Sequence, residues 1–249
     1  MASNTETGHA LNISNFKLIY DKCLGLGGTY NPSNPIISLP SLFAQWGAAD
    51  GQQNNLNGAL SNAKPLINAR RLAFEPLDIL ITRTLNALKA SNVDKEIIAD
   101  AKGLADKIRG HKVEHPQPEN PENPENPNPE WVSNSHLSFV QRVNNFRQYI
   151  DLLLATPNYI PNESDLMTSS LNTLYTTLKT MNDDFGTNVV VPVETVRNSR
   201  NHLLYDHETG VVDVSLKVKD YIKSIFGATA NETHQFTSIK LTRIGKNNQ

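Results

Sequence analysis

Residues 115–130 read HPQPENPENPENPNPE, and the triplet Pro-Glu-Asn occurs three times in succession. Proline fixes φ and lacks a backbone donor, which excludes this stretch from a helix interior or a central strand. It has no apolar side chain besides the prolines, so it cannot contribute to a core. The pattern predicts an extended, acidic, solvated spacer. A ligand for proline-binding domains is the alternative, but no basic residue or large apolar anchor flanks its PxxP steps.

The position of the spacer predicts two domains in the chain of 249 residues. We expect the first in residues 1–112, the linker in residues 113–131 and the second in residues 132–249. Each domain would hold about 110 to 120 residues, which is enough for a core of its own.

Charge and cysteine content exclude several classes of protein. The formal net charge is −2, so no global basic field is present and nucleic-acid binding is not expected. The single cysteine, Cys23, excludes an intramolecular disulfide and a multi-cysteine metal site. The first residues do not read as a signal peptide, and no run of about 18 apolar residues occurs. We therefore predict a cytoplasmic protein with no membrane partner and no cofactor.

Apolar residues recur at three- and four-residue spacings on both sides of the spacer, which predicts an all-α fold. Before the spacer we predict helices in residues 12–24, 39–60, 67–74, 77–88 and 94–109, with a break at Pro65. After it we predict helices in residues 134–154 and 164–185, a third from Pro192 and a fourth in residues 211–225. Residues 189–193 are also compatible with a short extended segment. Alternation in residues 234–244 favours an extended tail.

The two halves of the sequence resemble each other. The offset is 130 (145 − 15) in the first helix, 129 (159 − 30) in the following turn and 135 (213 − 78) near the end. A nearly constant offset across core, turn and polar positions indicates duplication. The matched sets are Asn15, Phe16, Lys17 and Asp21 with Asn145, Phe146, Arg147 and Asp151; Tyr30, Pro32, Ser41, Leu42, Trp46 and Leu56 with Tyr159, Pro161, Ser170, Leu171, Tyr175 and Phe185; and Asn68, Arg70 and Asp78 with Asn198, Arg200 and Asp213.

The last ~50 residues resemble uncharacterised bacterial proteins with an R-x-x-R-N-x-L-L-Y stretch, a G-x-V-D-x-x-x-x-V-K-x-Y-x-K-S-x-F-G-A stretch and a closing I-K-x-T-R. The resemblance implies a helical bundle of unknown function. Its residues here are Arg197, Arg200, Asn201, Leu203, Leu204 and Tyr205; Gly210, Val212, Asp213, Val218, Lys219, Tyr221, Lys223, Ser224, Phe226, Gly227 and Ala228; and Ile239, Lys240, Thr242 and Arg243.

The hexapeptide from Arg197 to His202, RNSRNH, resembles the R-N-x-x-x-H motif of HEPN-type RNA nucleases. That resemblance implies that arginine stabilises charge on the phosphate while histidine moves a proton. The aligned residues in the first half are Ile67 and Leu72, so the first half cannot supply a second site. The alternative is that Arg200 and its counterpart Arg70 make structural contacts, to a carbonyl or to Asp213 and Asp78, while His202 is a surface residue.

Two further sets of polar residues are candidates for binding. One is the repeated pair of asparagine and arginine: Asn68, Arg70, Asn198 and Arg200. The other is the cluster of potential metal ligands formed by His202, Asp206, His207 and Glu208, although a solvated loop between helices is the preferred interpretation. Cys23 lies on an apolar helix face with no predicted base beside it, so we assign it to the core.

Together these patterns predict an all-α protein of two tandem, internally duplicated up-down bundles of four or five helices, joined by the proline-rich linker. We expect a non-catalytic scaffold or protein-binding module, with a protein partner and a possible homo-oligomer. The alternative is a HEPN-like RNA nuclease, or an inactive relative, that uses Arg197 and His202.

Overall fold

The computed structural model describes residues 4–110 and 138–244, with side chains from residue 7 onward, so the predicted linker at 113–131 lies outside the described residues. Every regular element in these residues is helical, which confirms the all-α prediction. The α-helices are α1 (Asn4–Gly25), α2 (Leu39–Phe74), α3 (Leu77–Ala90), α4 (Lys95–Arg109), α5 (Phe139–Leu154), α6 (Thr168–Phe185), α7 (Val191–Tyr205), α8 (Val211–Phe226) and α9 (Asn231–Thr237).

The predicted break at Pro65 is wrong, because α2 continues through this proline to Phe74. A proline inside a helix removes one hydrogen bond, which neighbouring packing can offset. Ala63 and Phe74 are both buried on either side of it. They are separated by about three helical turns and so lie on the same face of α2. The helix thus continues past the proline with a buried residue before and after it, although residues 64–69 are exposed.

Two predictions about the second half have different outcomes. The helix expected from Pro192 is confirmed as α7, which follows a π-helical turn at Gly186–Val190. The strand-like tail expected from residue 234 is wrong in its first part, because α9 includes residues 234–237. Thr233 and Phe236 are buried in this helix, so packing overrides the alternating pattern.

Packing divides the chain into two compact units, one of residues 1–63 with 189–249 and the other of residues 64–188. In the first unit α1 packs against α7 and α8. In the second unit α4 packs against α3 and α5, and α5 packs against α6. These units differ from the predicted domains, residues 1–112 and 132–249. The reason is that the apolar faces of α3 and α4 are buried against helices from beyond the linker.

The residues that flank the linker lie close together within the second unit. The Arg142 Nε, near the start of α5, donates to the Ile108 carbonyl, near the end of α4, at 2.9 Å. The linker is therefore not a spacer that keeps α4 and α5 apart, and that interpretation is wrong. It connects two neighbours that pack against each other.

A shorter linker is expected to stabilise the protein. Replacing residues 111–137 by a Gly/Ser loop of about one third of their length should raise the free energy of unfolding by roughly 1 kcal/mol, because the entropic cost of loop closure falls with loop length. Urea unfolding of both chains measures the difference. A large loss of stability would contradict the packing of α4 on α5.

The same contacts occur in both units at matching positions. Each unit has an ion pair between residues four apart whose cation also lies over an aromatic ring. They are Lys17 with Asp21 and Trp46 in the first unit, and Arg147 with Asp151 and Tyr175 in the second. The Tyr30 hydroxyl donates to the Ile37 carbonyl at 2.6 Å, and the Tyr159 hydroxyl donates to the Leu166 carbonyl at 2.8 Å.

Candidate functional site

The two residues of the nuclease-like motif lie on α7 but make separate contacts. The Arg197 Nη1 donates to Glu194 Oε1 at 2.5 Å, while the His202 Nδ1 lies 2.9 Å from Asp206 Oδ1. Five residues on an α-helix correspond to a rotation of about 140°, so the two side chains leave different sides of α7. The His202 side chain is 73% exposed. Arg197 and His202 thus each contact a nearby acidic residue and do not contact each other.

Arg200 is fully buried, at 0% exposure, and connects α7 with α2. Its Nη1 donates to Gln53 Oε1 at 3.3 Å and its Nη2 donates to Asn201 Oδ1 at 3.0 Å. A buried guanidinium needs such acceptors, because an unpaired buried charge is strongly unfavourable. These contacts give Arg200 a structural role in the first unit.

Arg70, the sequence counterpart of Arg200, has different surroundings in the second unit. Its guanidinium carbon lies 3.3 Å from the centroid of the Phe185 ring and 4.4 Å from that of Phe139. Burial lowers the pKa of Arg70, and its buried Nε has no hydrogen-bond partner among the described residues. Asn68 is exposed. Its counterpart Asn198 is exposed as well, so only the two arginine positions differ in their surroundings.

The acidic partners expected for these arginines bind other residues. Asp78 accepts a hydrogen bond from Arg142, and Asp213 accepts one from Arg243 Nη2 at 2.6 Å. The Glu208 backbone N–H donates to Asp213 at 2.9 Å. This backbone hydrogen bond, followed by the contact with Arg243, lowers the pKa of Asp213. Asp213 therefore fixes the loop that connects α7 and α8.

The four candidate metal ligands in this loop form two separate pairs. His202 contacts Asp206 at 2.9 Å, and His207 lies 3.9 Å from Glu208. Among residues 4–110 and 138–244, no group of three histidine, cysteine or acidic side chains is arranged to hold a metal ion. Glu208 has a φ of 66°, and both it and His207 are exposed. The loop geometry positions Asp213 rather than a metal.

A cleft of about 300 Å³ lies beside α7 and is lined on one side by Arg243 and Ile244. Three of the predicted site residues line it, whereas Arg197 and Arg200 do not. Its lining residues are Asn198, Asn201, His202, Tyr205, Asp206, Arg243 and Ile244. The Tyr205 hydroxyl lies 2.6 Å from His9 Nδ1 and accepts from Asn12 Nδ2 at 3.1 Å. The hydroxyl is thus held by the interior of the first unit.

A larger groove, of about 520 Å³, lies between α1 and α2 in the same unit. Lys17, Leu18, Asp21, Trp46 and Asp50 are among the residues that line it. Phe43 stands at its side, with ring centroids 5.6 Å from those of both Tyr20 and Trp46. Phe43 and Leu18 are exposed. The predicted helix in residues 39–60 includes Trp46 and Phe43, but the spacing of its residues does not indicate this aromatic cluster, in which Phe43 is exposed and Tyr20 and Trp46 are half-buried.

Known proteins give no guide to these two sites. No family model, no curated protein and no solved structure matches the chain. Function is therefore inferred from the side chains themselves.

Cys23 lies in the core of the first unit. Cys23 is fully buried, and burial raises the pKa of its thiol to about 12, which keeps it protonated and unreactive. This confirms its assignment to the core. In the described part of the chain, no helix combines the length and the apolar character that crossing a bilayer requires.

Proposed function

We propose that the chain is a non-catalytic, protein-binding helical module whose docking surface is the groove between α1 and α2. The observation that carries this proposal is the aromatic cluster of Tyr20, Phe43 and Trp46, in which Phe43 is exposed and the other two rings are half-buried, together with the exposed Leu18 of the groove. Exposed aromatic and aliphatic side chains around a groove are typical of protein interaction sites.

We also propose that the chain arose by duplication, with each compact unit built from the beginning of one repeat and the end of the other. The recurring ion pairs and tyrosine contacts support this proposal. The burial pattern of α3 recurs in α8 at an offset of 134 (211 − 77), one residue less than the sequence comparison gave. The paired buried positions are Leu77 with Val211, Ile81 with Ser215, Thr84 with Val218, Leu85 with Lys219, and Leu88 with Ile222.

The repeats differ at the surface of the groove, and this difference favours a role in binding. Leu18 and Phe43 correspond to Gln148 and Asn172 at the same offsets. In the second unit Asn172 accepts a hydrogen bond from Arg147 Nη1 at 2.9 Å, so that surface is polar and internally paired. The fold therefore does not require apolar residues at these positions, and their presence in the first unit needs another reason.

The groove fits an amphipathic helix that carries a basic residue. A groove between two neighbouring helices that is lined by apolar side chains commonly binds the apolar face of a third helix. Lys17 is paired with Asp21 at 2.5 Å, whereas Asp50, among the residues that the structure describes, accepts a hydrogen bond from the Asn54 amide alone, at 3.2 Å. The remaining carboxylate gives the groove a net negative charge, which favours a cationic partner.

Fluorescence titration tests this proposal with a designed peptide. The chain has two tryptophans, so the W131F variant leaves Trp46 as the reporter in the groove. An 18-residue helical peptide with leucines at i, i+3, i+4 and i+7 and lysines elsewhere should cause a saturable change in emission. The L18Q/F43N double variant should bind at least ~10-fold more weakly, because about 1.4 kcal/mol of apolar contact is lost.

The control variants come from the chain itself. Gln148 and Asn172 occupy the corresponding positions of the other repeat, so L18Q/F43N is compatible with the helices. I160N removes a side chain that is 79% exposed in the second unit, and Asn31 is its sequence counterpart. I160N should bind the peptide as the parent does. Equal binding by L18Q/F43N, or equal binding of a peptide with glutamates in place of lysines, would overturn the proposal.

A further inference from the structure

Residues 239–244, which follow α9 and are called the tail below, are held against the first unit mainly through their own backbone. The Asn12 side chain, only 2% exposed, contacts both backbone groups of Thr242: its Nδ2 donates to the carbonyl at 2.7 Å, and its Oδ1 accepts from the N–H at 3.0 Å. Asn15 Nδ2 donates to the Lys240 carbonyl at 2.8 Å. Lys219 Nζ donates to the Ile239 carbonyl at 2.5 Å.

Apolar contacts and one ion pair add to this backbone recognition. Ile239 is buried in the core of the first unit, and Leu241 packs against that core. Gly8 leaves the space that Ile244 fills, since a Cβ at this position would lie 2.2 Å from Ile244 Cδ1. Arg243 pairs with Asp213 at 2.6 Å. Residues 239–244 thus bind as a short peptide, with aliphatic residues at the first, third and sixth positions and arginine at the fifth.

This surface is unfavourable when empty. Release of the tail would remove the carbonyl partner of the Lys219 ammonium and both backbone partners of Asn12, whose Nδ2 would keep only the Tyr205 hydroxyl, and lost partners of such groups are costly. Burial also lowers the pKa of Lys219, which reflects its removal from water. Exchange of the tail for a similar segment restores each of these contacts, because they are made to backbone groups that any peptide other than proline carries.

We propose that Gly8, Asn12, Asn15 and Lys219 form a peptide-binding groove that the chain's own tail occupies, and that an irregular segment of a partner protein with the same pattern of aliphatic residues and arginine displaces it. The side chain of Thr242 is exposed, so the groove reads this position through the backbone alone. This groove shares Asn15 with the docking groove between α1 and α2 but includes neither Leu18 nor the aromatic residues there, and the proposal does not depend on that function.

A free peptide that displaces the tail competes with a ligand attached to the same chain. A tail joined to α9 through Ser238 has an effective concentration in the millimolar range, so a free peptide binds the intact chain weakly. A substitution that weakens the contacts of the tail should make the groove available to the free peptide. T242P removes the N–H that Asn12 accepts and is the variant of choice, because it alters a single exposed position near the end of the chain.

The experiment measures fluorescence anisotropy of a labelled peptide with the sequence TSIKLTRI, residues 237–244, capped at both ends. We expect saturable binding to the full-length T242P chain, binding at least ~10-fold weaker to the wild-type chain, and loss of binding when T242P is combined with N12L. Thermal unfolding of each chain checks that the helices are retained.

Two further peptides test whether recognition occurs through the backbone. A peptide with alanine at the position of Thr242 should bind as the parent does, whereas one with proline there should bind at least ~10-fold more weakly. Equal binding of the proline peptide or of a scrambled peptide, or no binding to the T242P chain, would overturn the proposal. If N12L alone unfolds the protein, the comparison of the alanine and proline peptides decides the outcome.

Discussion

Phe16→Ala is expected to reduce hydrogen-exchange protection more in α8, near the end of the chain, than in α3 or α4 of the first half. Phe16 is 1% exposed and belongs to the same core as Val214 and Val218 of α8. Removing a buried phenylalanine ring costs about 3 to 5 kcal/mol, since apolar contacts are lost and a cavity remains. Amide exchange followed by mass spectrometry resolves which helices lose protection.

The matched variant is Phe146→Ala, at the equivalent position of the second repeat. Phe146 is fully buried with Ile81 of α3 and Ala105 of α4 in one core. We expect this variant to reduce protection in α3 and α4 more than in α8. If Phe16→Ala affected α3 and α4 most, the chain would instead consist of the two sequential domains that the position of the linker predicts.

Periodicity predicted the helices well because each buried face is encoded locally. Phe16 and Phe146 belong to the apolar faces that the spacing predicts for their helices, and both are buried. The choice of packing partner is not local. Thr84 and Tyr149, whose hydroxyls lie 3.1 Å apart in the second core, are on opposite sides of the linker. Nothing in the spacing of either helix specifies this pairing, and for that reason the sequence assigned α3 and α4 to the wrong compact unit.

The candidate sites were harder to predict because their chemistry is not contained in short motifs. The motif that includes Arg197 and His202 lies on one helix, and in the structure each of these two side chains contacts a different acidic residue. Asn12, by contrast, acts through backbone groups of Thr242, 230 positions away in sequence. Because every residue carries backbone groups, the residue type at the contacted position does not reveal such a contact in the sequence. Phe43 was missed because an aromatic residue on a helix is usually assigned to a core.

Arg200→Ala is expected to destabilise the protein by about 3 to 5 kcal/mol, whereas Arg70→Ala at the equivalent position should cost only about 1 to 2 kcal/mol. Arg200 is fully buried, and its truncation removes charge-assisted hydrogen bonds to Gln53 and Asn201 and leaves a cavity. Arg70 is half-buried and contributes mainly by stacking on Phe185 and Phe139. Urea unfolding of the two single variants measures both losses.

Substitution of Gln53 separates the loss of hydrogen bonding to Arg200 from the loss of stability that a cavity causes. Gln53→Leu keeps most of the volume but leaves the buried guanidinium with one acceptor fewer, so we expect a loss of about 1 to 3 kcal/mol. In the Arg200→Met background, where no charge remains to be paired, the same substitution should cost much less. Equal costs in the two backgrounds would mean that the contact between Arg200 and Gln53 does not stabilise the fold, and that Arg200 acts through its volume alone.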